Sequence, residues 1–208
     1  MRASPTAFQH TGVFLIVPLT LILAGCTPPR QRPAGVKAEL EAMYDSDQGD
    51  RARLQEITMK NGLDSPEVRE MWRKQRAIDD ANVQRLQRII DEDGWPDPKV
   101  VGKKAARAAF LVIQHADYPY QKQYLPVLRA AVAGGKARPD DLAFLEDRVL
   151  VREGKKQIYG SQVRQNVNGG TEFDPIEDEE HVDQRRKSVG LPPLAEYGKQ
   201  FGIDYKPK

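Results

Sequence analysis

"DSPEVREMWRKQRAIDDANVQRLQRIIDEDGWP", residues 64–96, is the stretch whose reading decides the fold. Ser65 suits an N-cap and Pro66 the first helical position, where a missing N–H removes no helical hydrogen bond. At the far end Gly94 suits a left-handed C′ residue, and Pro96 bars continuation. Between these signals Val68, Trp72, Gln75, Asp79, Asn82, Leu86 and Ile90 fall on one line at about 100° per residue, with Met71, Val83 and Ile89 beside it. A long helix with such a stripe must bury it against other elements. Three residues of the stripe are polar, and an unsatisfied buried polar group costs about 1–3 kcal/mol. Gln75, Asp79 and Asn82 therefore call for partners, or for a cleft that the helix lines.

The pattern on both sides is also helical. From Val36, the residues Leu40, Met43, Tyr44, Leu54 and Ile57 recur at helical spacing, with "DSDQGD" around Gly49 expected to bend or interrupt the element. After Pro96, "VVGKKAARAAFLVIQHA" (100–116) predicts a second long helix, ringed by alanine and so packed on most sides. Asp117 suits the cap of a third helix ending near Ala133. Arg138-Pro139-Asp140-Asp141 opens a fourth, ending at Gly154 and expected to be central. Its Leu142, Leu145 and Val149 form one apolar face, Phe144 and Val151 the other.

Past Gly154 the period changes to two. "KQIYGSQV", a turn at "NVNGG" and "TEFDPI" predict a β-hairpin. A short charged helix in "DEEHVDQRRKSVG" follows. A final turn in "LPPLAEYGKQF" should pin Leu191, Leu194, Tyr197 and Phe201 on the body. The expectation is a mainly α chain: a single helical domain over 36–208, with about five to seven helices and one β-hairpin near the C-terminus.

The N-terminal end carries an address. After Arg2, the run from Val13 to Gly25 is apolar but shorter than the roughly 20 residues of a spanning helix, and it fits a secretory signal. It closes on Leu23-Ala24-Gly25-Cys26, which looks like the lipobox of bacterial lipoproteins. Cys26 is the only cysteine of the 208 residues. The reading is a signal peptide over 1–25, lipidation at Cys26 and a proline-rich tether over 26–35. The acyl chains on Cys26 would make the membrane a partner. Thr27, in place of an aspartate, points to the outer membrane facing the periplasm where the host has two membranes. Without residues 1–25 the chain has 31 basic against 30 acidic residues, a balance with no electrostatic footprint for nucleic acid. A single cysteine excludes cysteine-ligated zinc and iron–sulfur sites.

The polar residues that stand out form short motifs. Asp47 and Gln48 precede Arg51, Asp79 and Asn82 precede Gly94-Trp95-Pro96, and Gln114-His115-Ala116-Asp117 ends an apolar run. Asp147-Arg148-Val149 leads to Gly154, Gln157, Tyr159, Gly160 and Gln162. In this order and spacing, from about Leu40 to Tyr197, the chain resembles a family of uncharacterised bacterial proteins built on a domain of unknown function. Ser161 stands where that family has threonine, keeping the hydroxyl, and Lys156 where it often has proline. The resemblance implies a fold but no activity.

His115 suits a general base near neutral pH, with Asp79, Asp117 and Asp147 as possible orienting carboxylates; the competing reading is a helix-end histidine bonded to a backbone carbonyl. Asp117 reads first as a plain N-cap. Asp147 and Arg148 read as a structural network with Asn82 or Arg51, or as groups that stabilise charge. Gln157, Tyr159 and Gln162 present amides and a phenol either to a ligand or to neighbouring strands. No metal-ligand spacing, nucleophile elbow or phosphate loop is present, so no cofactor is called. The expected role is a cell-envelope lipoprotein that binds a small ligand, a peptidoglycan fragment or a protein through an inward polar cluster, without catalysis. The alternative is a membrane-anchored hydrolase with His115 as base, and with Asp147, Arg148 and Tyr159 orienting or stabilising charge.

Overall fold

The computed structural model describes residues 33–62 and 64–206. Cys26 and the signal segment lie outside the described residues, as does the tether up to residue 32. Helix α1 (Pro33–Asn61) begins inside the segment read as tether, because a proline is tolerated in a first helical turn. It then runs unbroken past Gly49. That glycine is exposed, and a helical glycine costs only about 1 kcal/mol relative to alanine. The buried residues Val36, Leu40, Met43, Asp47 and Leu54 on one stripe fix the helix on both sides of it.

Helix α2 (Pro66–Asp93) starts where the sequence places it, with Ser65 Oγ accepting from the Val68 N–H at 3.3 Å. Such a cap contributes about 1 kcal/mol. At its end Gly94 has φ 76° but ψ −172°, so its positive φ serves an extended exit and not a left-handed turn. The helix runs antiparallel to α1, as shown by Arg85–Glu39 at one end and Arg51–Asp79 at the other. Val68, Val83, Leu86 and Ile89 are buried, whereas Trp72 is 39% exposed.

The expected helix over 100–116 is two: α3 (Pro98–Val101) and α4 (Lys103–His115), broken at Gly102 with φ 87°. Ala105, Ala108, Ala109, Phe110, Val112 and Ile113 of α4 are buried, so small side chains let neighbours approach it closely. It touches α1, α2, α3, α5 (Tyr118–Ala133) and α6 (Pro139–Arg152), which makes α4 the central helix. Helix α6, expected in that place, instead lies between the helical body and the C-terminal segment. Its Leu145 and Val149 join the main core, while Phe144 meets Tyr197 edge-on at 6.1 Å.

Strands β1 (Val163–Gln165) and β2 (Thr171–Phe173) form the antiparallel hairpin, with Val163 opposite Phe173. A single parallel bridge joins Gln157 to Ile176, so residues 157–162, expected to be strand, wrap the end of α6 as a loop. A 3-10 turn (Glu179–His181), α7 (Val182–Ser188) and α8 (Leu194–Lys199) close the chain over a small second core of Ile176, Val182 and Leu194. Leu191 and Leu194 are buried, but Phe201 is 37% exposed. The protein is mainly helical with one hairpin near the C-terminus. No helix among the described residues is long and apolar enough to cross a membrane.

Candidate functional site

The first polar assembly starts from α1. Asp47 stands on the buried stripe where an apolar residue would be expected, and its side chain is 1% exposed. A carboxylate in that position must be paired. Its Oδ1 lies 2.7 Å from Nδ1 of His115, the last residue of α4, and accepts from Arg51 Nε at 3.2 Å. Its Oδ2 accepts from the Gln48 amide at 2.6 Å. One turn along α1, Arg51 also reaches α2: its Nη2 donates to both oxygens of Asp79, at 2.8 and 2.7 Å. Gln75 Nε2 donates to Asp79 Oδ1 at 2.8 Å. One guanidinium thus holds two carboxylates from two helices, and the imidazole adds a third.

Burial pushes the Asp47 carboxyl up. The hydrogen bond and charge of His115, with Gln48 and Arg51, outweigh it and hold the group below its ordinary value. The imidazole itself is not sealed in. The His115 side chain is 22% exposed, and no second partner occupies its ring among the described residues. A ring with Nδ1 fixed by a buried carboxylate has a set orientation, leaving Nε2 free to donate or accept.

Neighbouring residues extend the assembly. Asn82 Nδ2 donates to Ser46 Oγ at 3.2 Å, and that hydroxyl donates to the Met43 carbonyl. With its amide oxygen facing α6, Gln114 accepts from Arg148 Nε and Nη2 at 3.1 and 3.0 Å. Arg148 thereby joins the end of α4 beside His115. Gln75 Oε1 is buried with no hydrogen-bond partner among the described residues, so the network is one donor short of closure.

Asp147 belongs to a different assembly. It is fully buried and accepts from the backbone N–H groups of Ile158 (2.7 Å), Tyr159 (3.0 Å) and Ser161 (2.9 Å). Burial pushes its carboxyl up, against the pull of those three donors. Gln157 repeats the device: its amide donates to the carbonyls of Gln162 and Asp174 and accepts from Gln162 N–H. Gln162 Nε2 turns back to Ser161 Oγ. Arg186, with no exposed surface, donates to the Tyr159 and Pro192 carbonyls and lies 4.8 Å from the Tyr197 ring. These groups tie a loop to α6.

Of the span from Asp147 to Gln162, Arg148 reaches Gln114 beside His115, whereas Asp147, Gln157 and Gln162 bond within the loop after α6. Asp147 and Tyr159 meet the loop backbone and Arg186, not the imidazole, so the carboxylate that orients His115 is Asp47, and not Asp79, Asp117 or Asp147. The ring bonds that side chain and not a backbone carbonyl. Asp117 holds the N-cap position of α5, but it is exposed and makes no side-chain capping bond. Asp47, Gln48, Arg51, Asp79, His115, Gln114 and Arg148 do come together. The need of Asp47 for a partner, which His115 meets, was legible in α1, where Asp47 takes the fourth place in the stripe Val36, Leu40, Met43.

Chemically, the first assembly offers an oriented imidazole with two guanidinium groups near it. Ser46, the nearest hydroxyl along α1, is already engaged. Among the described residues no group of three or more His, Cys, Asp or Glu side chains is placed to hold a metal ion. A hollow of about 670 Å³ opens elsewhere, at the N-terminal half of α4, and neither His115 nor Asp47 lines it.

A family model described as "Family of unknown function (DUF6624)" matches residues 34–206, and the chain belongs to that family. Comparison with curated proteins and with solved structures returned no match.

Proposed function

We propose that this member of the DUF6624 family is a lipid-tethered envelope domain that recognises a polar or anionic ligand, or a partner surface, at the open edge of His115. The carrying observation is the 2.7 Å contact between His115 Nδ1 and Asp47, which leaves the rest of a partly exposed imidazole without a partner among the described residues. Arg148 adds positive charge nearby, while that of Arg51 is met by Asp47 and Asp79, and the Gln75 carbonyl, unpaired among the described residues, argues against a network built only to satisfy itself. The ring stands partly exposed at the end of α4, which suits recognition of an extended ligand such as a glycan–peptide fragment. Leu23-Ala24-Gly25-Cys26 supports the tether.

Binding is tested by titrating the full chain with soluble peptidoglycan fragments while following the imidazole resonances of His115 and His181. A saturable shift confined to His115 supports the reading; unmoved resonances count against it. Incorporation of labelled palmitate, lost in Cys26→Ala, tests the tether.

A second reading is a hydrolase with His115 as base on water and Asp47 as the orienting carboxylate. The same contact favours it, since a fixed ring with one free nitrogen is what general-base chemistry requires. Turnover of an ester or phosphoester that His115→Gln abolishes without lowering the melting temperature would establish it.

A further inference from the structure

The hollow at the N-terminal half of α4 is separate from the His115 edge, and its lining has a marked composition. Its volume of about 670 Å³ lies within the range of small-molecule sites. The floor is aromatic: Trp95 and Phe110 are almost wholly buried, and Tyr44 closes one side. The rim is cationic, with Lys103, Lys104, Arg107, Lys136 and Arg138 against a single lining carboxylate, Asp141. Two of the cations lie on aromatic faces, Lys104 5.4 Å from the Tyr44 ring centre and Arg107 4.6 Å from that of Phe110.

The charges do not cancel locally. Lys104 pairs with Asp45 at 2.6 Å, Arg107 with Asp141, and Arg138 with Asp140. Lys103 and Lys136 meet no carboxylate among the described residues, and both are exposed at the rim. They come from the start of α4 and from the turn between α5 and α6, so the excess charge faces the opening from two sides. Burial pushes the Arg107 guanidinium down, and the Arg138 charge adds to this, as expected for like charges sharing one concavity.

An apolar floor beneath uncompensated cations complements one kind of occupant. We propose that this hollow binds a small amphipathic anion, its apolar body against Trp95 and Phe110 and its carboxylate or phosphate between Lys103 and Lys136. An inorganic anion would leave the aromatic floor unused, and an uncharged amphiphile would leave the lysines unpaired. The inference stands apart from the role of His115, because the two sites share no residue.

Trp72 and Trp95 are the only tryptophans, so Trp72→Phe leaves an emission that reports on the hollow alone. The full chain carrying that change is titrated with hexyl phosphate, hexan-1-ol and inorganic phosphate. The proposal expects a saturable shift of Trp95 emission with hexyl phosphate, at a concentration at least tenfold below that needed for either fragment. Lys103→Glu with Lys136→Glu should raise that concentration tenfold or more at unchanged melting temperature, while hexan-1-ol is unaffected. Ala137→Phe should abolish the shift by filling the lining. Equal response to all three probes, a non-saturating response, or indifference to the charge reversal overturns the proposal. So does a chain that ignores hexyl phosphate but co-sediments with phosphatidylglycerol vesicles in a lysine-dependent way, which would make the rim a bilayer contact.

Discussion

His115 at the end of α4 and Asp47 in the middle of α1, 68 positions apart, meet at 2.7 Å. The carboxylate takes its place in the core only because the imidazole, Arg51 and Gln48 share it. Replacing His115 with alanine leaves Asp47 buried with one strong partner fewer. A loss of about 1–3 kcal/mol in unfolding free energy, read by urea denaturation, is expected.

The same pair sets an acid limb. Asp47 titrates below its ordinary value of 3.8 in the folded chain, so its contribution is fully present above that pH and is lost as pH falls through the lower folded value. Melting temperature recorded from pH 6 down to pH 2 should fall less steeply below 3.8 in Asp47→Asn than in the parent. In His115→Ala the fall should be smaller and end at a higher pH, because a partner that lowers the folded Asp47 value has gone.

Arg51 joins α1 to α2 by holding Asp47 and Asp79 together. Arg51→Met removes the one side chain among the described residues that hydrogen-bonds both, and about 3 kcal/mol should be lost, as for a buried pair broken from one side. Lysine offers one ammonium in place of a fork and should restore less than half of this. Chemical denaturation of the three proteins checks both statements.

Asp147 holds the loop that follows α6 through three backbone amides. Asp147→Asn puts a donor where one acceptor stood and should cost about 1–3 kcal/mol. Hydrogen exchange would locate the damage: the amides of Ile158, Tyr159 and Ser161 should lose protection while those of α2 keep theirs.

Gly160 has φ 70°, and a Cβ there would stand 2.8 Å from Leu194 Cδ1 and 3.0 Å from Ile176 Cδ1. Gly160→Ala combines left-handed backbone strain with overpacking of the small core, each costing about 1–2 kcal/mol. A melting temperature within a degree of the parent would disprove this.

What could be read from the sequence follows the range of the forces involved. Ser65 and Pro66 act within one turn of chain, and the start of α2 was legible to the residue. The three polar residues of the α2 stripe announced partners, and Arg51 and Ser46 supply two of them. Local signals misled where tertiary contacts outweighed them: Gly49 does not interrupt α1, because burial on either side of it exceeds the cost of one exposed glycine. Gly102 does break the next helix, although alanines on its C-terminal side read as continuous. The alternation after Gly154 suggested strand, but Asp147 collects the amide donors of Ile158, Tyr159 and Ser161, which a strand would have spent on a neighbour. No short-range rule announces a carboxylate eleven residues back as the acceptor. For the same reason Asp147 and His115, both polar and both near helix ends, could be assigned to one cluster from the sequence although they serve two.

The early start of α1 has a mechanical corollary. Pro33 lies only seven positions beyond Cys26, and extended chain spans at most about 3.6 Å per residue. An acyl group on that cysteine would hold the first helical turn on a leash of about 25 Å, which is shorter than α1 itself. With such an acyl group in place, the body could pivot over its own patch of lipid but could not range across a wide periplasmic gap, and whatever it met would have to come to the membrane.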